Sequence, residues 1–156
     1  MLTAEAKGFF EKSYEIIEDG KTIAVLKASS WKEKAEIELG GKTYRFKRDS
    51  AFKGPFLLME VENVIAYAEK PSAFRERFEV FSSGKTFVLR KLSIWKGTFC
   101  LEENEHVVGT IKPTGWFKKR TLIDLPERFP LILRIFIFWL ALVIWKRENA
   151  AVAGSG

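Results

Sequence analysis

"RIFIFWLALVIWKR", residues 134–147, decides how the chain folds. Between Ile135 and Trp145 it carries no polar side chain, and it ends on Lys146 and Arg147. A helix that is apolar on every face must be enclosed on every face, by protein or by lipid. Leu131 to Trp145 spans about 22 Å as a helix, whereas crossing a bilayer takes roughly 20 apolar residues. Arg134 shortens the uninterrupted run further. Length therefore favours a buried core helix over about 130–147. Pro130 stands at its first turn, and two cations at its last turn oppose the helix dipole. The alternative is a tail anchor, with residues 131–147 in the bilayer, Trp139 and Trp145 at its interfaces and Lys146-Arg147 as the flank.

What precedes the run must supply the enclosure. "SYEIIEDGKTIAVLK", "KAEIELGGKTYRFKR" and "RFEVFSSGKTFVLRK" each read as two short strands around Asp19-Gly20, Gly40-Gly41 and Ser83-Gly84. Such pairs suit the two-residue hairpin turns whose central residues have positive φ. "PFLLMEVENVIAYAEKP" and "TFCLEENEHVVGTIKP" add two more hairpins, and "KKRTLID" a last strand.

These hairpins belong to an internal repeat. "GKTYRFKRDSAFKGPFLLMEVENVIAYAEKP" from Gly41 aligns with "GKTFVLRKLSIWKGTFCLEENEHVVGTIKP" from Gly84. Tyr44 meets Phe87, Phe46 meets Leu89, and Phe52-Lys53-Gly54 meets Trp95-Lys96-Gly97, an element that marks a turn. A shorter echo starts at Gly20-Lys21-Thr22. A sheet this wide must close to remove its edges. A closed antiparallel barrel of about twelve strands has an interior too wide for its own side chains, and a helix about 10 Å across fits it. The expectation is one domain over residues 1–149, with strands from about 13 to 125, the helix enclosed, and residues 150–156 as a disordered tail.

Repeated hairpins closing a barrel, followed by "LPERFPLILRIFIFWLALVIWKR" as a terminal apolar helix, resemble the tubby C-terminal-like superfamily. That superfamily takes in tubby proteins, phospholipid scramblases and LURP-one-related proteins. The resemblance runs from about Ser13 to Arg147 and implies a twelve-stranded barrel around a central hydrophobic helix. For function it implies a membrane link, since tubby domains bind phosphoinositide head groups through basic surface residues. The chain departs from the scramblase pattern: "TLIDLPERF" holds no calcium-binding loop, and no cysteine- and proline-rich N-terminal region is present. The compact build is nearer to the LURP-one-related and small bacterial members.

Charge points the same way. Lys and Arg number 26 against 20 Asp and Glu, a net +6 that favours an acidic partner. Candidate contacts for lipid phosphate are Lys118, Lys119 and Arg120 beside Trp116 and Phe117, with Lys47-Arg48 and Arg90-Lys91 at matching places in the two repeats. Each such cation contributes about 1 kcal/mol near an anionic surface. The competing reading makes them solvated strand residues, because alternation turns every second residue outward.

No catalytic constellation stands out. Cys100 and His106, each alone of its kind, lack a third orienting group. Cys100 aligns with Leu57, an apolar position. The acidic tip Glu102, Glu103 and Glu105 reads as a solvated turn rather than a cation site, and no phosphate loop or dinucleotide fingerprint occurs. No cofactor or metal is expected. One cysteine and no secretory leader point to a reducing, cytoplasmic setting, peripheral at the membrane. The functional expectation is a non-enzymatic module for anionic phospholipid or a membrane-associated protein. Nucleic-acid binding by the same basic surface is the less favoured alternative.

Overall fold

The computed structural model describes residues 1–7, 12–29, 32–49, 54–71, 77–92, 97–114 and 119–155. Phe52, Lys53, Trp95, Lys96, Trp116, Phe117 and Lys118, all singled out above, lie outside them.

Twelve antiparallel strands close into a barrel in chain order. They are β1 (Leu2–Lys7), β2 (Lys12–Glu18), β3 (Lys21–Ala28), β4 (Lys34–Leu39), β5 (Lys42–Arg48) and β6 (Phe56–Glu60). There follow β7 (Asn63–Glu69), β8 (Arg77–Ser82), β9 (Lys85–Lys91), β10 (Phe99–Glu103), β11 (His106–Thr114) and β12 (Arg120–Asp124). The helix α1 (Leu131–Ser155) completes the chain.

β1 lies ahead of the region expected to form strands. It pairs with β2 on one side and β12 on the other, and so closes the barrel. Its apolar inward set is only Leu2 and Ala4, too small to register as a strand in sequence.

The hairpin turns follow the chemistry of their residues. Asp19-Gly20, Gly40-Gly41, Ser83-Gly84 and Asn104-Glu105 all have positive φ at both positions, the geometry that matches strand twist. Gly54 and Gly97, the last residues of the two aromatic–Lys–Gly elements, also have positive φ.

The repeat has a structural counterpart. Register shifts fall at Leu58/Met59 in the β6–β7 pair and at Leu101/Glu102 in the β10–β11 pair, matching places in the two copies. A third falls at Ile16/Ile17 in β2–β3, so the bulge recurs every four strands. The Gly20 echo is thereby placed two strands out of phase with Gly41 and Gly84. Its resemblance comes from shared turn chemistry, while the bulges mark the four-strand period.

Inside, large phenylalanines on β5, β6, β8, β9 and β10 are offset by small alanines on β1, β3, β4 and β7, which leaves room for α1. Ile135 through Ala141 are at most 2% exposed, so the segment is enclosed by strand side chains and has no face left for lipid. Trp139 is the hub, with its ring centroid 5.6 Å from Phe46, 5.9 Å from Phe56 and 6.1 Å from Phe136. No described helix is long and apolar enough to cross a membrane.

Pro130 lies just outside α1, and its carbonyl accepts from Leu133 and Arg134 N–H at 3.0 and 3.2 Å. The helix then continues beyond the expected end near residue 147, through Ser155. At the entry, β11 must let the chain leave β12. A side chain at Gly109 would strike the carbonyl oxygen of Asp124 and come within 2.9 Å of Leu125 Cδ2. Glycine is required there for close approach.

Candidate functional site: the open rim of the barrel

In an up-and-down barrel alternate connections share an end. The hairpin turns β2–β3, β4–β5, β6–β7, β8–β9 and β10–β11 therefore lie together, and the strand ends joined by the longer connections lie at the opposite end, open in the sense that α1 leaves the barrel there. α1 enters at the hairpin end, where Phe129 packs on Phe87 and Arg128 pairs with Glu103 at 2.6 Å. It leaves at the open end, where Trp145 Nε1 donates to Gly97 O at 2.9 Å.

Charge is biased along this axis. Glu18, Asp19, Glu38, Glu60, Glu62, Glu102, Glu103 and Glu105 sit at the hairpin end. The lysines there are partly neutralised, Lys42 by Glu60 and Lys85 by Glu103. Every described residue of the sequence-derived basic set instead lies at the open end: Lys47, Arg48, Arg90, Lys91, Lys119 and Arg120. The strand ends bring these cations, remote in sequence, to one rim.

They are not equally available. Alternation splits the two matched pairs, because Phe46 and Leu89 point inward and so do Arg48 and Lys91. Arg48 lies 3.6 Å from Glu33 with its guanidinium 5.0 Å from the Phe56 ring centroid. The side chain of Lys91 is 8% exposed and pairs with Glu148 of α1. Lys91 thereby ties down the helix end, while Arg48 shares Glu33 with Arg147 of α1. Arg90 and Lys47 face outward, beside Cys100 and Leu57 respectively. Arg90 pairs with Glu102, whereas the repeat places Met59 at the corresponding position near Lys47. Lys47 consequently makes no ion pair among the described residues. Arg120 pairs with Glu5 at 2.6 Å, and Lys119 is exposed with no ion pair among the described residues.

Further cations that sequence reading did not select join the rim, among them Lys34, Lys32 and Lys146. Lys34 stands directly across from Lys47 on the outer face of the β4–β5 pair. Like charges placed opposite each other repel, and here no described carboxylate pairs with either. Lys146 and Lys32 line a cleft beside α1. Hairpin alignment could have revealed the Lys34–Lys47 pairing, since the Gly40-Gly41 turn fixes the β4–β5 register. Lys146 carried only a helix-end signal.

Elsewhere the site chemistry is sparse. Cys100 is buried and burial pushes its thiol up, against the opposing effect of Arg90. It pairs with Thr110 in the β10–β11 register while His106 pairs with Glu103 at the turn, so the two are not brought together. The described residues contain no group of three or more His, Cys, Asp or Glu able to hold a metal ion.

The architecture thus defines a class, a closed up-and-down barrel with an enclosed C-terminal helix and a basic open rim. No protein-family model, curated protein or solved structure matches the chain.

Proposed function

We propose that this protein is a non-enzymatic binding module that docks its open rim on anionic phospholipid. The observation that carries the reading is the cross-strand Lys34–Lys47 pair. Two outward lysines face each other without a described carboxylate, on the end of the barrel where the other basic residues collect. A structural role would call for ion pairs such as those of Arg48, Lys91 and Arg120. An uncompensated lysine pair gains from an anionic surface in a way it cannot gain from the fold. The resemblance to tubby-like barrels supports the same reading. The rim would approach the head groups while the acidic hairpin end points away, an orientation that self-repulsion at the wrong end enforces.

The test is co-sedimentation of the intact chain with vesicles of phosphatidylcholine alone or with about a third phosphatidylserine. Binding is expected only to the anionic vesicles. Lys34→Ala with Lys47→Ala should remove about 2 kcal/mol, roughly thirtyfold in affinity. Equal binding to both vesicles, or an unaffected double variant, overturns the proposal. Single-stranded DNA at physiological salt is the control partner, and tighter binding to it than to anionic vesicles also overturns the reading.

A further inference from the structure

A cleft of about 210 Å³ opens at the rim between the β3–β4 loop and the later turns of α1. Its floor is apolar, formed by the edges of Trp139 and Val143. Its walls bring Lys32, Glu33, Lys146 and Arg147 around that floor. The charges do not cancel evenly. Both carboxylate oxygens of Glu33 accept from Arg147 Nη2 at 2.7 Å, and Arg48 approaches the same carboxylate at 3.6 Å. Glu33 is therefore committed to arginines.

Lys146 has no such partner. Its ammonium is half-buried and donates to the backbone oxygen of Ser29 at 3.0 Å, and no carboxylate among the described residues lies within ion-pair reach. An ammonium has three donors, and a neutral carbonyl satisfies one of them. A cation taken out of water without a counter-ion is costly. Burial pushes Lys146 below the ordinary lysine range, and the nearby charge of Lys12 pushes it the same way. Among the described residues, the charged groups around it are Lys12 on β2, Lys32 on the loop and Arg147 on α1, all positive, and the committed Glu33.

We propose that the cleft binds a small organic monocarboxylate, its carboxylate held by Lys146 and Lys32 and a compact apolar body laid on Trp139 and Val143. The anion supplies the missing counter-charge. The apolar floor selects against bare inorganic anions, and the fixed Glu33 carboxylate in the wall disfavours a dianion. A cavity of about 150 Å³ takes up benzene, so a cleft of about 210 Å³ is on the scale of a six-carbon acid or a benzoate. This site is distinct from the outward Lys34–Lys47 pair and needs no membrane.

Isothermal calorimetry on the full chain with hexanoate, 1-hexanol and inorganic phosphate tests it. Hexanoate is expected to bind at least tenfold more tightly than either of the others. Lys146→Met, which keeps an apolar stem, should weaken hexanoate at least tenfold. Should that variant fail to fold, the hexanoate-to-hexanol comparison on the unaltered chain decides alone. Equal binding of hexanol removes the role of the cation, and equal binding of phosphate removes that of the apolar floor. Either result overturns the proposal, as does undiminished hexanoate binding by a folded Lys146→Met or no hexanoate binding at all.

Discussion

Arg147 reaches back from the end of the enclosed helix to Glu33 on the β3–β4 loop, donating from one nitrogen to both carboxylate oxygens at 2.7 Å. Glu33 also faces Arg48, and both guanidinium groups lie over Phe56, at 5.0 and 5.6 Å from its centroid. One carboxylate thereby keeps two cations together above a buried ring. Glu33→Gln leaves the two arginines repelling each other across Phe56. The expected loss is about 1 kcal/mol at low salt, since the pair is part-exposed, and it should shrink at 1 M salt. Urea unfolding at both ionic strengths measures it. A loss that salt leaves untouched would assign the effect to packing instead.

Tyr14 supplies the pH dependence. Its ring meets Phe138 edge-on at 5.6 Å inside the barrel, and burial pushes its hydroxyl up to about 12. The folded state therefore holds the proton more tightly than the unfolded chain, whose tyrosines titrate near 10. Stability from this group is fully present below pH 10 and is lost as pH rises from 10 toward 12, by up to about 3 kcal/mol. Tyr14→Phe should flatten that alkaline loss while leaving the ring contact intact. Urea midpoints between pH 8 and 12 are the measurement, and an unchanged slope would place the titration elsewhere.

Much of this architecture is legible in sequence because the local signals agree with the fold. Asp19-Gly20, Gly40-Gly41 and Ser83-Gly84 demand tight turns, and the all-apolar 135–145 run demands enclosure, so barrel and central helix follow together. β1 was missed because Leu2 and Ala4 acquire meaning only when β12 comes alongside. The rim was partly legible. Strand alternation hides which cation of each pair faces out. Whether a cation is neutralised depends on residues far away in sequence, as Arg90 with Glu102 and Lys91 with Glu148 illustrate. That Lys146 meets no carboxylate among the described residues follows from how α1 leaves the barrel, and no local pattern encodes it.

Val61 departs from the turn rules. It has φ of 56° in the β6–β7 turn, where a branched side chain is strained, and it is 68% exposed, so packing gives nothing in return. The other hairpins place Gly, Asp, Ser or Asn at the corresponding bend. The left-handed conformation costs a non-glycine residue roughly 1–2 kcal/mol, against which glycine's greater unfolded-state entropy counts. Val61→Gly should therefore stabilise by about 1 kcal/mol, read as a higher thermal midpoint. A lower midpoint would show that the side chain shields the turn's hydrogen bonds.

Arg134 is the one charged side chain taken into the apolar run. It is 8% exposed, its Nε has no hydrogen-bond partner, and it makes no ion pair among the described residues. Guanidinium does not shed its proton in proteins, so the desolvation cost stands. Its position on the first turn of α1 adds repulsion from the positive end of the helix dipole. Met keeps a long unbranched stem and removes the charge. Arg134→Met should raise stability by about 1–4 kcal/mol, the range seen when buried charges give way to apolar groups of similar volume. A higher urea midpoint with an unchanged slope is the expected result. A lower midpoint would mean that water or an anion satisfies the guanidinium in solution, and its salt dependence would tell those two apart.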